Sequence, residues 1–221
     1  GEDLIFPHHE NEIAQSEAAN DKEFARYWMH NAFLKIDNEK MSKSLGNFKT
    51  VREIGEKYPL QVIRFFMLSA HYRSPLNFSD TLINASKSGL DRILTGIEKL
   101  KEVSAKTTVN VANDEETEYM KTIDSIVEKY ETAMEDDLNT ADAISVIFEI
   151  IKHTNSTVND NSSKPYVDYC LEHITSLCDI LGIVTEKEEV ELDFDIDAMI
   201  AERTAAKKNK DFARADEIRN E

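Results

Sequence analysis

Four stripes of apolar residues between Leu90 and Leu181 constrain the fold of this chain more than any other feature. Within each stripe the apolar positions recur every three or four residues, which is the period of an amphipathic α-helix. The links near 104–114 and 154–164 are rich in Thr, Asn, Asp and Ser, which favour turns. Four helices with short polar links predict an antiparallel bundle over residues 79–184. We expect its core to contain Leu90, Ile93, Leu94, Ile97, Leu100, Tyr119, Ile123, Ile126, Val127, Tyr130, Met134, Ala143, Ile144, Ile147, Ile150, Ile151, Cys170, Ile174, Leu177, Cys178 and Leu181.

The residues before the bundle predict a mixture of strands and helices. Residues 28–36 alternate partly between apolar and polar side chains, which indicates strands followed by a turn. Thr50 and Glu53 have the spacing of a capping box, so we expect a helix to begin there. Residues 60–70 are apolar on nearly every face and predict a buried helix. The fold class is therefore mainly α, with the end of an α/β domain before the bundle.

The composition excludes a membrane protein and a disulfide scaffold. Of the 221 residues 41% are hydrophobic and 31% are charged, no apolar run is long enough to span a bilayer, and no signal segment is visible. Cys170 and Cys178 lie eight positions apart on one predicted helix, about 12 Å along its axis, which is too far for a disulfide. We expect two buried free thiols and a cytoplasmic protein.

The net charge of −17 is unevenly distributed along the chain. Residues 1–48 carry −4, residues 49–106 carry +4 and residues 107–221 carry −17. The acidic part predicts weak, salt-sensitive affinity for nucleic acid in general. The basic stretch is the part of the chain that a nucleic acid would approach.

Residues 40–48 read Lys-Met-Ser-Lys-Ser-Leu-Gly-Asn-Phe, and their side chains suit a polyphosphate ligand. Lys40 and Lys43 supply two ammonium groups, Ser42 and Ser44 supply two hydroxyls, and Met41 lies between them. Transfer from a nucleoside triphosphate requires such charge stabilisation where charge develops on the phosphates. The alternative is a surface loop rich in Lys and Ser that binds nothing.

His8 and Glu12 lie four residues apart where a helix begins, so their side chains share one face. An imidazole and a carboxylate at this spacing can ligate one Zn²⁺ ion. The alternative is a helix start with acidic residues near its positive end, because structural zinc normally takes four ligands. The spacing alone leaves both interpretations open.

Three strings follow one another in the first 48 residues: Pro-His-His-Glu-Asn-Glu-Ile-Ala-Gln-Ser at 7–16, Tyr-Trp-Met-His-Asn at 27–31, and the lysine-rich loop. Together they resemble the cysteinyl-tRNA synthetases, and the lysine-rich loop resembles the signature loop of class I aminoacyl-tRNA synthetases. The resemblance is dense over residues 1–80 and thinner beyond, where 136–140 and 210–219 support it. It implies that the α/β part is Rossmann-like.

The resemblance implies an ATP-dependent cysteine–tRNA ligase. Such an enzyme condenses cysteine with ATP, supplied with Mg²⁺, to cysteinyl-adenylate, and transfers the cysteinyl group to tRNA(Cys). Lys43 is then the main stabiliser of the α-phosphate and the departing pyrophosphate, Lys40 assists, and Ser42 and Ser44 donate hydrogen bonds. The implied partners are tRNA(Cys), cysteine and ATP, with no membrane and no DNA.

In that family a Zn²⁺ ion bound by two cysteines, a histidine and a glutamate holds the thiolate of the substrate. His8 and Glu12 match the last two ligands. This chain has neither the matching cysteines nor the other class I signature, His-x-Gly-His. We therefore expect a carboxy-proximal fragment that is inactive alone and binds zinc weakly or not at all.

The resemblance also implies a division of the chain. Residues 1–48 end the catalytic domain, 49–78 form connecting helices near the acceptor stem, and 79–184 form the bundle. Residues 185–221 form a linker and the start of a truncated anticodon-binding region, in which 198–221 are predicted to be helical.

Other interpretations stay open at this stage. A cysteine ligase of thiol biosynthesis with an amino-sugar acceptor is similar across the first 48 residues, although Phe212, Ala215 and Ile218 favour the tRNA enzyme. A non-catalytic tRNA-binding fragment is a third possibility. For Trp28 a position in the core, and for His30 a satisfied hydrogen bond, is expected more than contact with substrate. For Arg64 and Arg73, contact with phosphate and a plain surface position are equally expected.

Overall fold

The computed structural model describes residues 1–186, 196–208 and 214. The chain divides into two units, Gly1–Glu186 and Lys187–Glu221. The helices of the first unit are α1 (Glu10–Asn20), α2 (Val51–Gly55), α3 (Leu60–Leu68), α4 (Asp80–Lys106), α5 (Asp114–Glu135), α6 (Thr140–Thr157) and α7 (Lys164–Ile180), and its strands are β1 (Leu34–Ile36), β2 (Glu39–Lys40) and β3 (Leu76–Phe78). Short 3₁₀ turns form at Glu2–Leu4 and Lys43–Leu45, and a π-helical turn forms at Ile5–His9.

The three strands form one small sheet in the order β2-β1-β3. The antiparallel hairpin of β1 and β2 turns at Asp37 and Asn38, whose φ angles of 49° and 70° are typical of a type I′ turn. β3 runs parallel to β1, with Ile36 beside Phe78, and α2 and α3 lie in the crossover between them. This parallel crossover fits the predicted end of an α/β domain. The strand is shorter than predicted, because residues 28–33 do not themselves form a strand.

The crossover helices form where the sequence predicts them. The Thr50 hydroxyl accepts a hydrogen bond from the Glu53 amide at 3.2 Å, and the Glu53 carboxylate accepts one from the Thr50 amide at 2.7 Å. This reciprocal bonding confirms the capping box. The prediction that 60–70 is buried on nearly every face is wrong, because α3 buries only the side that faces α4, α6 and β3, and Met67 stays 49% exposed.

Helices α4 to α7 pack together as the predicted bundle. The apolar stripes meet in its core, where Ile93, Ile123, Ile147 and Ile174 have no exposed surface. Most positions predicted for the core are fully buried, and Leu94, Tyr119, Val127 and Met134 are partly buried against it. The side chains of Ser79, Asn113, Asn139 and Ser163 cap the amino ends of the four helices.

A buried carboxylate joins the amino ends of α5 and α7. One oxygen of Glu116 accepts from the Asn113 amide at 3.1 Å, and the other accepts from the Ser163 amide at 2.8 Å. Only 6% of Glu116 is exposed. The partial positive charges of two helix ends and two amide donors stabilise this acidic group inside the bundle.

The carboxyl end of α7 is capped by Arg64 from α3. Arg64 Nε donates to the Leu181 carbonyl at 2.8 Å. The next residue, Gly182, has a φ of 62°, and a Cβ there would lie 2.5 Å from the guanidinium. Arg64 therefore has a structural contact, and glycine is required beside it.

Both cysteines are free and buried, as predicted, and desolvation raises the pKa of Cys170 and of Cys178 to about 12. Within the described residues no helix is long and apolar enough to cross a bilayer. In the second unit, the described residues form α8 (Ile196–Lys208) and include Arg214, which pairs with Glu202 at 2.9 Å. Phe212, Ala215 and Ile218 lie outside the described residues, so the prediction for 209–221 is tested only at Arg214.

Candidate active site

The start of α1 presents the predicted pair of metal-binding side chains. The π-helical turn Ile5–His9 runs directly into α1, so His8 and Glu12 project from the same side. His8 Nε2 and Glu12 Oε1 lie 3.8 Å apart, and the two side chains are 61% and 48% exposed. This separation confirms the predicted common face and lets both atoms approach one ligand from solvent.

His8 and Glu12 are suitable ligands for zinc, but two protein ligands do not complete a structural site. Among the described residues there is no group of three His, Cys, Asp or Glu side chains placed to hold a metal ion. Cys170 and Cys178 are in the core of the bundle and are not part of the α1 pair. The described residues therefore fit half of the zinc site that the resemblance implies.

His9 belongs to an aromatic cluster that the sequence did not predict. Its Nδ1 lies 2.9 Å from Nε2 of His30, and its ring lies 5.4 Å from that of Trp28. Trp28 and His30 are only partly buried, so the expectation that Trp28 belongs to the core is wrong. The contact between His9 and His30 joins positions 21 residues apart, and a helical pattern cannot reveal it. The two imidazoles and the indole form an aromatic surface beside the His8–Glu12 pair.

The lysine-rich loop is closed by the side chain of Asn47. Asn47 Oδ1 accepts from the Ser42 amide at 2.8 Å, and Asn47 Nδ2 donates to the Lys40 carbonyl at 3.1 Å. Inside the loop the hydroxyls of Ser42 and Ser44 lie 3.1 Å apart, so both are on one side. The side chain of Lys43 lies outside the described residues. Asn47 is a functional candidate that sequence reasoning did not single out.

Lys40 and Met41 anchor the loop to the sheet. Lys40 Nζ lies 4.7 Å from the ring centroid of Phe33, which is a cation–π contact. Met41 is partly buried against the core. Phe33 directly precedes β1, so the sheet fixes the start of the loop.

Arg73 belongs to a polar contact between the loop after α3 and the turn before α6. Arg73 Nε lies 2.6 Å from Asp137 Oδ2, and the Tyr72 hydroxyl donates to Asp137 at 2.7 Å. The Tyr72 hydroxyl, followed by the Arg73 guanidinium, lowers the pKa of Asp137 below its usual range. The backbone carbonyl of Tyr72 also accepts from the Ala32 amide at 2.9 Å. Tyr72 thus links the string at 136–140 to the segment that carries His30 and Phe33.

Two known protein families match this chain, one over the candidate site and one over part of the bundle. The family described as "tRNA synthetases class I (C) catalytic domain" matches residues 1–88, and the DALR domain family matches residues 129–185. A cysteine–tRNA ligase of Lachnospira eligens is 59% identical over all 221 residues of this chain. Those of Lachnoclostridium phytofermentans and Clostridioides difficile are 53% and 51% identical over the whole chain.

The chain belongs to the cysteinyl-tRNA synthetase family. It spans about half the length of the curated relatives that it matches, 47% of the Lachnospira eligens protein and 48% of the other two. The resemblance seen in the sequence is therefore confirmed for the family.

Among solved structures, the ternary complex of Agrobacterium radiobacter K84 agnB2 LeuRS with tRNA and LeuAMS contains a similar fold. The TM-score is 0.67 at 16% identity, and the similarity covers 79% of this chain and 24% of that one. At this identity the likeness concerns the fold alone. It supports the mainly α architecture with the end of an α/β domain before a helical bundle.

Proposed function

We propose that this chain is the carboxy-proximal part of a cysteinyl-tRNA synthetase that activates cysteine with ATP and transfers it to tRNA(Cys). The relatives named cysteine–tRNA ligase, at 51–59% identity over the whole chain, support the reaction class. In this proposal residues 1–48 serve the catalytic site, and residues 49–78 lie near the acceptor stem. The enzyme works in the cytoplasm.

The proposal rests on the contacts that the segment from His30 to Phe33 makes with both sequence strings. At one end His30 contacts His9, the neighbour of the metal-binding His8, and at the other end Phe33 contacts Lys40 of the lysine-rich loop. The Cα atoms of His30 and Phe33 are at most about 11 Å apart, because three residues span no more than that. The two strings are therefore close enough to serve one aminoacyl-adenylate.

The lysine-rich loop acts on ATP by position and charge. Lys43 stabilises the charge that develops on the α-phosphate and the leaving pyrophosphate, and Lys40 assists. Ser42 and Ser44 donate hydrogen bonds from one side of the loop, while Met41 holds the loop against the core. Asn47 fixes the backbone between Lys40 and Ser42, so these donors are oriented before ATP arrives. No protein nucleophile is needed.

His8 and Glu12 hold one side of the zinc ion in this proposal. Zinc supplies a thiolate-binding centre when it is bound, and such a centre separates cysteine from serine better than a hydrophobic pocket does. With half of a metal site, the 221-residue chain by itself should bind zinc weakly and should not activate cysteine.

The test is cysteine-dependent exchange of pyrophosphate into ATP by the full-length enzyme that contains these residues. Lys43→Ala should lower the exchange rate at least 100-fold, since removing one preorganised donor typically costs about 3–4 kcal/mol. Lys22→Ala, at an exposed position between α1 and β1, is the matched control and should keep the wild-type rate. An exchange rate for Lys43→Ala within threefold of wild type would exclude the proposed role.

The acceptor is tested separately with the same enzyme and radiolabelled cysteine. Charging of tRNA(Cys) supports the proposal, whereas transfer to an amino sugar alone would favour a ligase of thiol biosynthesis. Exchange by the isolated 221-residue chain would contradict the expectation that this part of the enzyme is inactive alone.

A further inference from the structure

A groove of about 560 Å³ lies between α4 and α6 on the surface of the bundle. Arg92 and Lys99 line it from α4, and Lys152 lines it from α6. These three side chains are exposed, and Arg92 and Lys99 are about 10 Å apart along the helix axis. The groove therefore presents a row of cations on two helices.

The two helices come together at a glycine. A Cβ at Gly96 would lie 2.7 Å from Cδ1 of Ile151, so the absence of a side chain at Gly96 lets Ile151 pack against the backbone of α4. Ile151 directly precedes Lys152. This close approach of the two helices places Lys152 of α6 opposite Arg92 and Lys99 of α4.

The groove has the opposite charge to the rest of the molecule. The chain carries a net charge of −17, but the groove has three cations against a single carboxylate, that of Asp91. Elsewhere on the bundle Lys106, Lys121 and Lys129 pair with glutamates. Within the described part of the chain Lys99 and Lys152 form no ion pair.

The aromatic ring of Phe148 orients the side chain of Arg92. Its guanidinium lies 4.7 Å from the ring centroid of Phe148, so the flat face of the guanidinium group can rest on the aromatic side chain. In that arrangement the N–H groups at the edge stay free, and they are the groups that bind a phosphate in pairs.

We infer that the groove between α4 and α6 binds the sugar–phosphate backbone of the tRNA. The inference rests on the proposed function for the identity of the RNA, but neither family match includes residues 89–128, which contain most of the cationic side of α4. The other lining side chains include Thr95 and Asn155, which are neutral hydrogen-bond donors. Hydroxyls and amides beside Arg and Lys are the usual contacts to phosphate and sugar oxygens. An acidic polypeptide would form ion pairs with the cations but would accept fewer hydrogen bonds from these neutral donors.

The experiment measures binding of fluorescently labelled tRNA(Cys) to the 221-residue chain by anisotropy at several salt concentrations. The wild-type chain should bind with a Kd below about 100 µM at physiological salt. The triple variant Arg92→Gln, Lys99→Gln, Lys152→Gln should bind at least tenfold more weakly. Its slope of log K against log salt should be smaller by about 2–3, because up to three phosphate contacts are lost.

The matched control is Lys101→Gln. Lys101 is exposed on α4 two residues from Lys99, so it points to nearly the opposite side of the helix and does not line the groove. Its tRNA affinity should stay within twofold of wild type. The triple variant should lose the same factor for an unrelated tRNA, because backbone contacts carry no base sequence.

Several outcomes would overturn the inference: no binding at 100 µM wild-type chain, a triple variant with unchanged affinity and salt slope, or an equal loss for Lys101→Gln. The groove would be a site for acidic protein if labelled poly-glutamate, and not tRNA, bound in a manner sensitive to the triple variant. Circular dichroism checks that each variant is folded. Pyrophosphate exchange by the full-length enzyme needs no tRNA, so the triple variant should leave it unchanged, and a failure of the groove is distinguishable from a failure of the proposed function.

Discussion

The first 53 residues expose large apolar side chains to solvent, whereas the helical bundle buries its apolar side chains in a core. Among the first 53 residues Ile36 is the one buried residue wherever exposure is described, whereas Phe6, Tyr27 and Met29 are 77%, 90% and 58% exposed. In the bundle every helix contributes fully buried isoleucine, valine or tyrosine. The first 53 residues thus have almost no core of their own, and the bundle contains most of the hydrophobic core.

This contrast distinguishes residues that stabilise the fold from residues that organise exposed polar groups. Bundle residues such as Ile147 follow a helical period because burial of apolar surface stabilises the fold. Residues such as Ser42 and Asn47 follow no period, and their contacts organise a loop around exposed polar groups. A change in one region should therefore alter stability, and a change in the other should alter chemistry.

The largest expected difference comes from shortening one apolar side chain in each region. Ile147→Ala removes methyl groups from a fully buried position, and the free energy of unfolding should fall by about 2–5 kcal/mol. Leu45→Ala acts on a side chain that is 60% exposed in the lysine-rich loop, and the change should stay within about 0.5 kcal/mol. Urea denaturation followed by circular dichroism measures both. Equal losses would break the comparison.

A smaller difference is expected between two capping glutamates. Glu116→Gln replaces one acceptor oxygen of a buried carboxylate by a donor that faces an amide N–H, so unfolding should become easier by about 1–3 kcal/mol. Glu53 has the same capping role at α2 but is exposed, and the Thr50 amide lowers the pKa of its carboxyl.

Glu53→Gln should destabilise the chain less than Glu116→Gln at pH 7, because water can replace the lost contact. Urea midpoints compare the two variants directly. A larger effect at Glu53 would show that burial does not set the strength of these caps.

The smallest effect concerns acid sensitivity of the bundle. His153 on α6 packs edge-on against Tyr119, and its Nε2 is buried without a hydrogen-bond partner among the described residues. Burial lowers the pKa of His153 below 6.5 in the folded chain. Its contribution to stability is present above pH 6.5 and is lost as the pH falls through the folded value, because only the unfolded chain then gains a proton readily.

His153→Gln should consequently lose less stability between pH 7 and pH 5 than the wild-type chain does. His173→Gln on α7 controls for the removal of a histidine from the bundle. Urea midpoints at both pH values provide the measurement, and identical pH slopes for His153→Gln and wild type would contradict the prediction.

Sequence reasoning succeeded where neighbours along the chain decide the structure. The stripes of the bundle, the capping box at Thr50 and the common face of His8 and Glu12 all depend on separations of three to eight residues. It fails where partners are distant: Trp28 is predicted to lie in the core, although its neighbours are His9 and His30.

Long-range contacts explain the other differences. Arg64 caps a helix end 117 positions away, and Arg73 pairs with Asp137, so the periodicity of their own segments could not reveal either role. Met67 stays exposed because α4, α6 and β3 cover only one side of α3. The roles of Lys40, Lys43, His8 and Glu12 in catalysis stay predictions.

The most direct test of the account asks whether the two strings serve one reaction. In the full-length enzyme, zinc content is measured by atomic absorption, and cysteine-dependent pyrophosphate exchange is measured on the same samples, for His8→Ala, Lys43→Ala and Lys22→Ala. We expect His8→Ala to lose both zinc and exchange, Lys43→Ala to keep zinc and lose exchange, and Lys22→Ala to keep both. A His8→Ala enzyme with a full complement of zinc and wild-type exchange would contradict the account.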